Sequence, residues 1–324
     1  MALCKSLRRN DRIAYKMRFQ RWPFVNILIT GAKGQIGTEL VPFLGRSYPD
    51  SQIFSTDIDT LDVTDASKVD QFIGDNSISQ VFHLAALLSG VGERSPRKTF
   101  DVNLLGSLNI LEASRDRGVL QVFIPSSIAV FGRDYPRDNT PNDTVLRPLS
   151  MYGVTKVAGE VLHEYYTSRY GLDVRSLRFP GILSSRGKPG GGTTDYAIHM
   201  LAQAAQGEPN FVSFLKQGTR LPFLHIDDVL EGIVTFMNAP REHLSRRVYN
   251  VTGFSAAPED FMFAIQKHGN PISVTYEPDF RQAIADQWPR SINDTRARKD
   301  WGWRSQLDLE ETTLRLLKDF SEDL

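Results

Sequence analysis

Val25-Asn26-Ile27-Leu28-Ile29-Thr30-Gly31-Ala32-Lys33-Gly34-Gln35-Ile36-Gly37 is the stretch that decides the fold. The run from Val25 to Ile29 reads as a strand buried on both faces, and Ile36, Leu40 and Leu44 follow it at helical spacing. Glycines at 31, 34 and 37 allow a tight turn, the close approach of a pyrophosphate and close helix-to-strand packing. Gln35 and Ile36 open the helix, so backbone N–H groups and the positive end of its dipole face the phosphates. Asp57 lies twenty residues beyond Gly37, after the strand-like run Gln52 to Thr56. A carboxylate there accepts hydrogen bonds from the adenosine ribose and repels a 2′-phosphate. No Lys or Arg stands between Asp57 and Lys68, which favours NAD over NADP; Lys33, inside the turn, argues mildly the other way.

Working outward, strands and helices alternate. A helix near Ser67 to Gly74 starts at a capping Asp65, and Asp62 and Val63 before it are candidates for the adenine edge. The strand Gln80 to Leu84 ends in His83-Leu84-Ala85-Ala86, where small residues let a cofactor lie close over the sheet. A helix from about Arg97 to Arg117 carries Val102, Leu105, Leu108 and Leu111 as an apolar face. Asn103 within it is expected to bond backbone in the core and is counted among the cofactor-binding residues. Val122 to Ser127 delivers two hydroxyls, Ser126 and Ser127, to the same sheet edge. A Pro-, Asp- and Asn-rich loop leads to a helix ending near Tyr170, then to the strand Leu172 to Phe179, with Phe179 and Ile182 expected at the cofactor. The pattern predicts an α/β fold, a Rossmann-type doubly wound parallel sheet.

From 23 to 180 the chain reads as the NAD-binding domain. Residues 181–324 read mainly as a smaller substrate-binding lobe, with segments such as Val248 to Val251 returning to the sheet. Gly181 to Gly192 holds five glycines and is expected to be a mobile loop. Thr193-Thr194-Asp195 then starts a helix, and Asp227 is expected to cap another that runs to Asn238.

Composition narrows the function. Basic and acidic residues balance at 38 each, which gives no sign of a nucleic-acid partner. One cysteine, Cys4, excludes a disulfide framework, and the six histidines show no metal-ligand spacing. No apolar run approaches membrane-spanning length. Residues 1–22 carry seven Lys and Arg against one acid, Asp11. That composition is like a mitochondrial transit peptide, with a disordered basic tail or a true start at Met17 as the alternatives.

Tyr152 and Lys156 carry the chemistry. Four residues apart on a helix, they share one face. A phenol ionises near about pH 10, and a fixed ammonium beside it favours the phenolate. Such a phenolate is a general base for an alcohol, with a nearby Ser127 or Ser126 hydroxyl orienting the oxygen.

Taken together, Gly31/Gly34/Gly37, Asp57, His83-Leu84-Ala85-Ala86, Ser126-Ser127 and Tyr152/Lys156 resemble the extended short-chain dehydrogenase/reductases over about residues 23–250. Leu177 to Ile182, Gly190 to Tyr196, Trp288 to Asp294 and Ala297 to Trp303 look like the short-chain type of L-threonine 3-dehydrogenase. The resemblance implies NAD-dependent oxidation of L-threonine to 2-amino-3-oxobutanoate, usually in mitochondria in eukaryotes. It also implies a homodimer through the helices near 97–117 and 152–170. Ser127 precedes Tyr152 by twenty-five residues, as the serine or threonine does in related epimerases, which leaves Ser126 as runner-up. Ser89, Thr193 and Thr194 are candidates for the substrate, with the glycine-rich backbone before Asp195 offering N–H donors to a carboxylate. Two alternatives stand beside this: a nucleotide-sugar epimerase or dehydratase, and a non-catalytic NAD-sensing protein. Epimerases commonly carry an Asn after the Arg-aromatic pair at the strand end, where this chain has Pro180-Gly181.

Overall fold

The computed structural model describes residues 25–186 and 190–322. The basic extension, and residues 187–189 of the glycine-rich segment, lie outside the described residues. Strands β1 (Asn26–Thr30), β2 (Gln52–Thr56), β3 (Gln80–His83), β4 (Gln121–Phe123), β5 (Ser126–Ser127) and β6 (Asp173–Phe179) form most of one parallel sheet. Its order is β2-β1-β3-β4-β6-β10, where β10 (Val248–Asn250) comes from far along the chain, and β5 pairs with β6 just beyond the end of β4. The crossover therefore reverses beside β1, and ligands of such sheets bind at that switch, off the carboxyl ends of the strands.

The helices form where the sequence periodicity places them. Helix α1 (Gln35–Ser47) buries Gly37, Leu40 and Leu44, and α2 (Ala66–Asp75) is capped by Asp65, whose side chain accepts from Lys68 N. Two short helices, α3 (Ser89–Arg94) and α4 (Pro96–Phe100), lead through a π-helical turn, Asp101–Leu105, into α5 (Gly106–Asp116). This stretch departs from the expected apolar face. Leu105 is 36% exposed, while Asn103, Gly106, Ser107, Ile110 and Leu111 face inward. Close packing is the reason, since a Cβ on Gly106 would stand 2.8 Å from the Val63 side chain. Helix α6 (Met151–Tyr170) starts at Ser150, whose hydroxyl accepts from Gly153 N, and ends at Gly171 in the left-handed region.

Beyond β6 a second lobe forms from β7 (Gly181–Leu183), α7 (Asp195–Ala205), β8 (Asn210–Ser213), β9 (Leu221–His225) and α8 (Ile226–Asn238). It continues after β10 with β11 (Phe254–Ala256), α9 (Pro258–Lys267), β12 (Ser273–Tyr276), α10 (Phe280–Ala285), α11 (Thr295–Trp301) and α12 (Leu309–Glu322). Its core gathers Tyr196, Leu201, Phe223, Phe261 and Leu316. Helix α8 packs back on α1 and shares a core with β1 and β6. Here His225, not Asp227, is the cap, its Nδ1 accepting from Asp227 N. Arg175, buried on β6, ties the lobes: it pairs with Asp173 at 2.7 Å and donates to the carbonyls of Phe236, Met237 and Ala239 at the end of α8.

Candidate active site

Two adjoining hollows follow the strand ends, one of about 330 Å³ beside β2 and one of about 280 Å³ reaching α6 and α7. Gly31, Gly34, Leu84 and Ala86 belong to both, so the two form one path. Asp57, Asp62, Val63 and Ala85 line the first; Gln35, Ile36 and Gly37 line the second.

The glycine turn is held by geometry that side chains would destroy. Gly31 has φ +69°, and a Cβ there would lie 2.6 Å from Ala85 N; a Cβ on Gly37 would overlap the Gly31 carbonyl. No side chain caps α1. Its first turn faces a backbone-lined cradle that fits a pyrophosphate, whose acceptors suit unpaired N–H groups. At the other end of that cradle Asp57 accepts from Lys33 N at 3.0 Å and Ile58 N at 2.9 Å, which fixes its carboxylate at the tip of β2. Lys33 itself pairs with Asp59 at 2.5 Å. Its charge is thereby matched, which removes the one residue that favoured a 2′-phosphate.

Deeper in, Tyr152, Lys156 and Ser127 meet where β5 and α6 face each other. Lys156 Nζ donates to the Pro125 carbonyl at 2.7 Å and stands 5.6 Å from the Tyr152 ring centre. Burial pushes the Tyr152 phenol up to about 12, opposed by a hydrogen bond with Ser127. Burial also pushes Lys156 down to about 8, opposed by Glu160. Burial of the phenol thus works against the ionisation that the neighbouring ammonium is expected to favour.

The two serines separate cleanly. Ser127 is the one against Tyr152, and its Oγ also accepts from Ala129 N. Ser126 Oγ instead donates to Glu160 Oε1 at 2.5 Å, and Glu160 forms a buried bidentate pair with Arg178 at 2.8 and 2.7 Å.

Ser89 and Thr193 hydroxyls lie 3.2 Å apart, both buried, and line the second hollow with Thr194 and Trp288. Thr194 precedes α7 but its side chain caps nothing, so its hydroxyl does no helix work. Two of the expected backbone donors are otherwise engaged. Gly191 N and Gly192 N donate to Asp195 Oδ2 at 2.9 and 2.8 Å, and the Gly191 carbonyl accepts from Gly90 N. Gly191 and Gly192 are thus clamped, and the hydroxyls of Ser89, Thr193 and Thr194 line the hollow beside them. Asn103 is the one candidate absent from both hollows. Its amide grips Leu87 N and O at 2.8 and 3.0 Å, which positions the loop after β3 instead of touching a cofactor.

Residues 27–252 match the model of the NAD dependent epimerase/dehydratase family. The chain belongs to that family. The mitochondrial L-threonine 3-dehydrogenase of Bos taurus is 41% identical over 305 residues, covering 90% of this chain and 81% of that protein. Among solved structures, L-threonine dehydrogenase from Phytophthora infestans superposes with a TM-score of 0.89 at 40% identity, over 92% of this chain and all of that one. UDP-glucose 4-epimerase from Thermotoga maritima, with a TM-score of 0.78 at 22% identity over 92% of this chain and 99% of its own, shares the fold.

For a member of this NAD-dependent family, the residues that sequence reasoning passed over are instructive. Glu160 and Arg178 hold Ser126 from behind, and the Pro125 carbonyl holds Lys156. Glu160 was detectable, because it lies one turn past Lys156. Ile58, Leu61 and Lys98 in the first hollow, and Leu88, Val91 and Ile128 in the second, carry no motif and are placed by the fold alone.

Proposed function

We propose that this protein oxidises the β-hydroxyl of L-threonine with NAD⁺, giving 2-amino-3-oxobutanoate and NADH. The observation that carries the reading is one hollow lined by Tyr152, Lys156 and Ser127 together with the hydroxyls of Ser89, Thr193 and Thr194. The L-threonine dehydrogenases among its relatives support the same substrate.

In the reaction, Tyr152 as phenolate takes the hydroxyl proton while Ser127 holds the same oxygen in line. NAD⁺, when bound, would supply the two-electron acceptor for the hydride leaving Cβ. Lys156 adds its charge beside Tyr152. That charge opposes the burial that holds the phenol up near 12. Ser89, Thr193 and Thr194 donate to the carboxylate, and Trp288 shields the far end from water. Gln35, Ile36, Gly37 and the ribose-facing Asp57 hold the dinucleotide. An NAD sensor without catalysis has no use for Ser127 against Tyr152.

The same proposal includes a homodimer and a mitochondrial address. Leu105 in the turn before α5, and Val154, Val161 and Tyr165 on α6, expose apolar surface in the stretches expected at a dimer face. The basic extension, and the mitochondrial description of the Bos taurus relative, support the address. NADH formation from threonine tests the activity. Reaction with UDP-glucose and none with threonine would replace it by epimerisation. Light scattering on a sizing column tests the dimer.

A further inference from the structure

Three consecutive residues join the sheet to the Tyr152–Lys156 pair. The Pro125 carbonyl accepts from Lys156 Nζ at 2.7 Å, Ser127 lies against the Tyr152 phenol, and Ser126 between them bonds Glu160. The sheet itself holds this segment poorly. Strand β4 ends at Phe123, Pro125 has no N–H to give a ladder, and the two residues of β5 pair with β6 alone. Side chains do the fastening. Ser126 Oγ donates to Glu160 Oε1 at 2.5 Å, and Glu160 takes Arg178 Nε and Nη2 at 2.8 and 2.7 Å, both partners being buried. Arg178 stands opposite Ser126 in the β5–β6 register, so the ion pair bridges the two strands. Its Nη1 donates to the Asn142 carbonyl at 2.8 Å and to Asn250 Oδ1 at 3.3 Å, which anchors the guanidinium to the loop before α6 and to β10.

We propose that Glu160, braced by Arg178, is a positioning residue for the oxidation: through Ser126 it fixes Ser127 against Tyr152, and its carboxylate supplies the negative charge that Lys156 faces. The proposal rests on the dehydrogenase reading above. Glu160 lines neither hollow of the cleft, so it acts through its neighbours and not on substrate or cofactor. One helical turn separates it from Lys156. Burial lowers Lys156 to about 8, and Glu160 opposes that loss of charge. The other titratable groups around Lys156 are Tyr152 and His163 on the same helix and His83 at the end of β3. Burial, with Lys156 itself, pushes both imidazoles down to about 3, so they are uncharged in the working range and cannot hold an ammonium.

NADH formation from threonine, followed from about pH 6 to about pH 10 in the native protein and two variants, tests both halves. Ser126→Ala cuts the tie to β5 and spares the ion pair. Its kcat should fall about five- to twentyfold, with KM for NAD within about twofold and the alkaline limb of the pH profile in place. Glu160→Gln keeps an acceptor for Ser126 and deletes the charge. A neighbouring ammonium is then lost more readily, so the alkaline limb of kcat/KM should move down by at least about half a pH unit. If Arg178, left buried and unpaired, prevents folding, Glu160→Gln with Arg178→Gln removes both charges and carries the same reading. An unmoved alkaline limb, or native kcat in Ser126→Ala, overturns the proposal and leaves an ion pair that only fastens α6 to the sheet. No NADH from the native protein overturns the dehydrogenase reading instead. The placement is then decided by a crystal structure of Ser126→Ala, where a Ser127 hydroxyl still within hydrogen-bond reach of Tyr152 overturns it.

Discussion

The two ends of the cleft are built on opposite principles. Around β2 the adenosine end is open, and its charges are matched in pairs at the surface, Lys33 with Asp59 and Asp57 with backbone N–H groups. At α6 the reacting end is dry, and burial moves Tyr152 to about 12 and Lys156 to about 8. The first recognises a ligand by shape and hydrogen bonds that water would also make. The second holds groups out of water so that charge arriving with the ligand decides their ionisation. Binding and chemistry are therefore separable in this molecule, and substitutions at one end should leave the other largely intact.

The largest separation is expected from Tyr152→Phe. Turnover of threonine should fall at least about a thousandfold, within the range of a lost general base. NAD affinity, read by protein fluorescence quenching, should stay within about twofold. Loss of NAD binding in this variant would join the two ends. The reverse case is Gly37→Val, whose side chain would overlap the Gly31 carbonyl. NAD affinity should drop about a hundredfold or more by calorimetry, and the stabilisation of the melting temperature by NAD should vanish with it.

Asp57→Ala should cost about tenfold in NAD affinity, or roughly 1.4 kcal/mol, and narrow the preference over NADP. An unchanged NAD-to-NADP ratio removes the ribose role. Thr194→Val keeps the shape and deletes a hydroxyl that caps nothing. KM for threonine should rise about three- to tenfold with kcat near native, and a change in kcat alone would move Thr194 out of the carboxylate pocket. The smallest effect concerns pH. His83 and His163 take up protons in the unfolded chain near about pH 6.5 but in the folded protein only near about 3. The unfolded state thus binds more protons between these values, and stability falls as pH drops through that window. By about pH 5.5 each imidazole accounts for roughly 1 kcal/mol of loss relative to pH 7, and His163→Leu should remove one such share in urea titrations.

Legibility in the sequence follows the same division. The strand–glycine–helix unit, Asp57 and the Tyr152/Lys156 pair could be read directly, because each depends on spacing within one or two elements. The doubly wound sheet followed from the alternation, and even the return of Val248 to Asn250 to the sheet was foreseeable. Reading failed where contact partners lie far apart. Asn103 bonds backbone as expected, but its partner Leu87 could not be read from spacing; the backbone of Gly191 and Gly192 is offered to substrate in the sequence reading, yet Asp195 holds it. Periodicity gave Leu105 to the core because it could not register a π-helical turn packed close to Val63.

By itself the sequence determined which residue types can bind a dinucleotide and strip an alcohol, since glycine conformations and helical spacing are local properties of the chain. Tertiary structure alone decided which of two adjacent serines faces the phenol and which is tied to Glu160, and how far burial opposes ionisation. Hydration and the fields of neighbouring charges are set by what packs around a group, and that packing comes from segments distant in sequence.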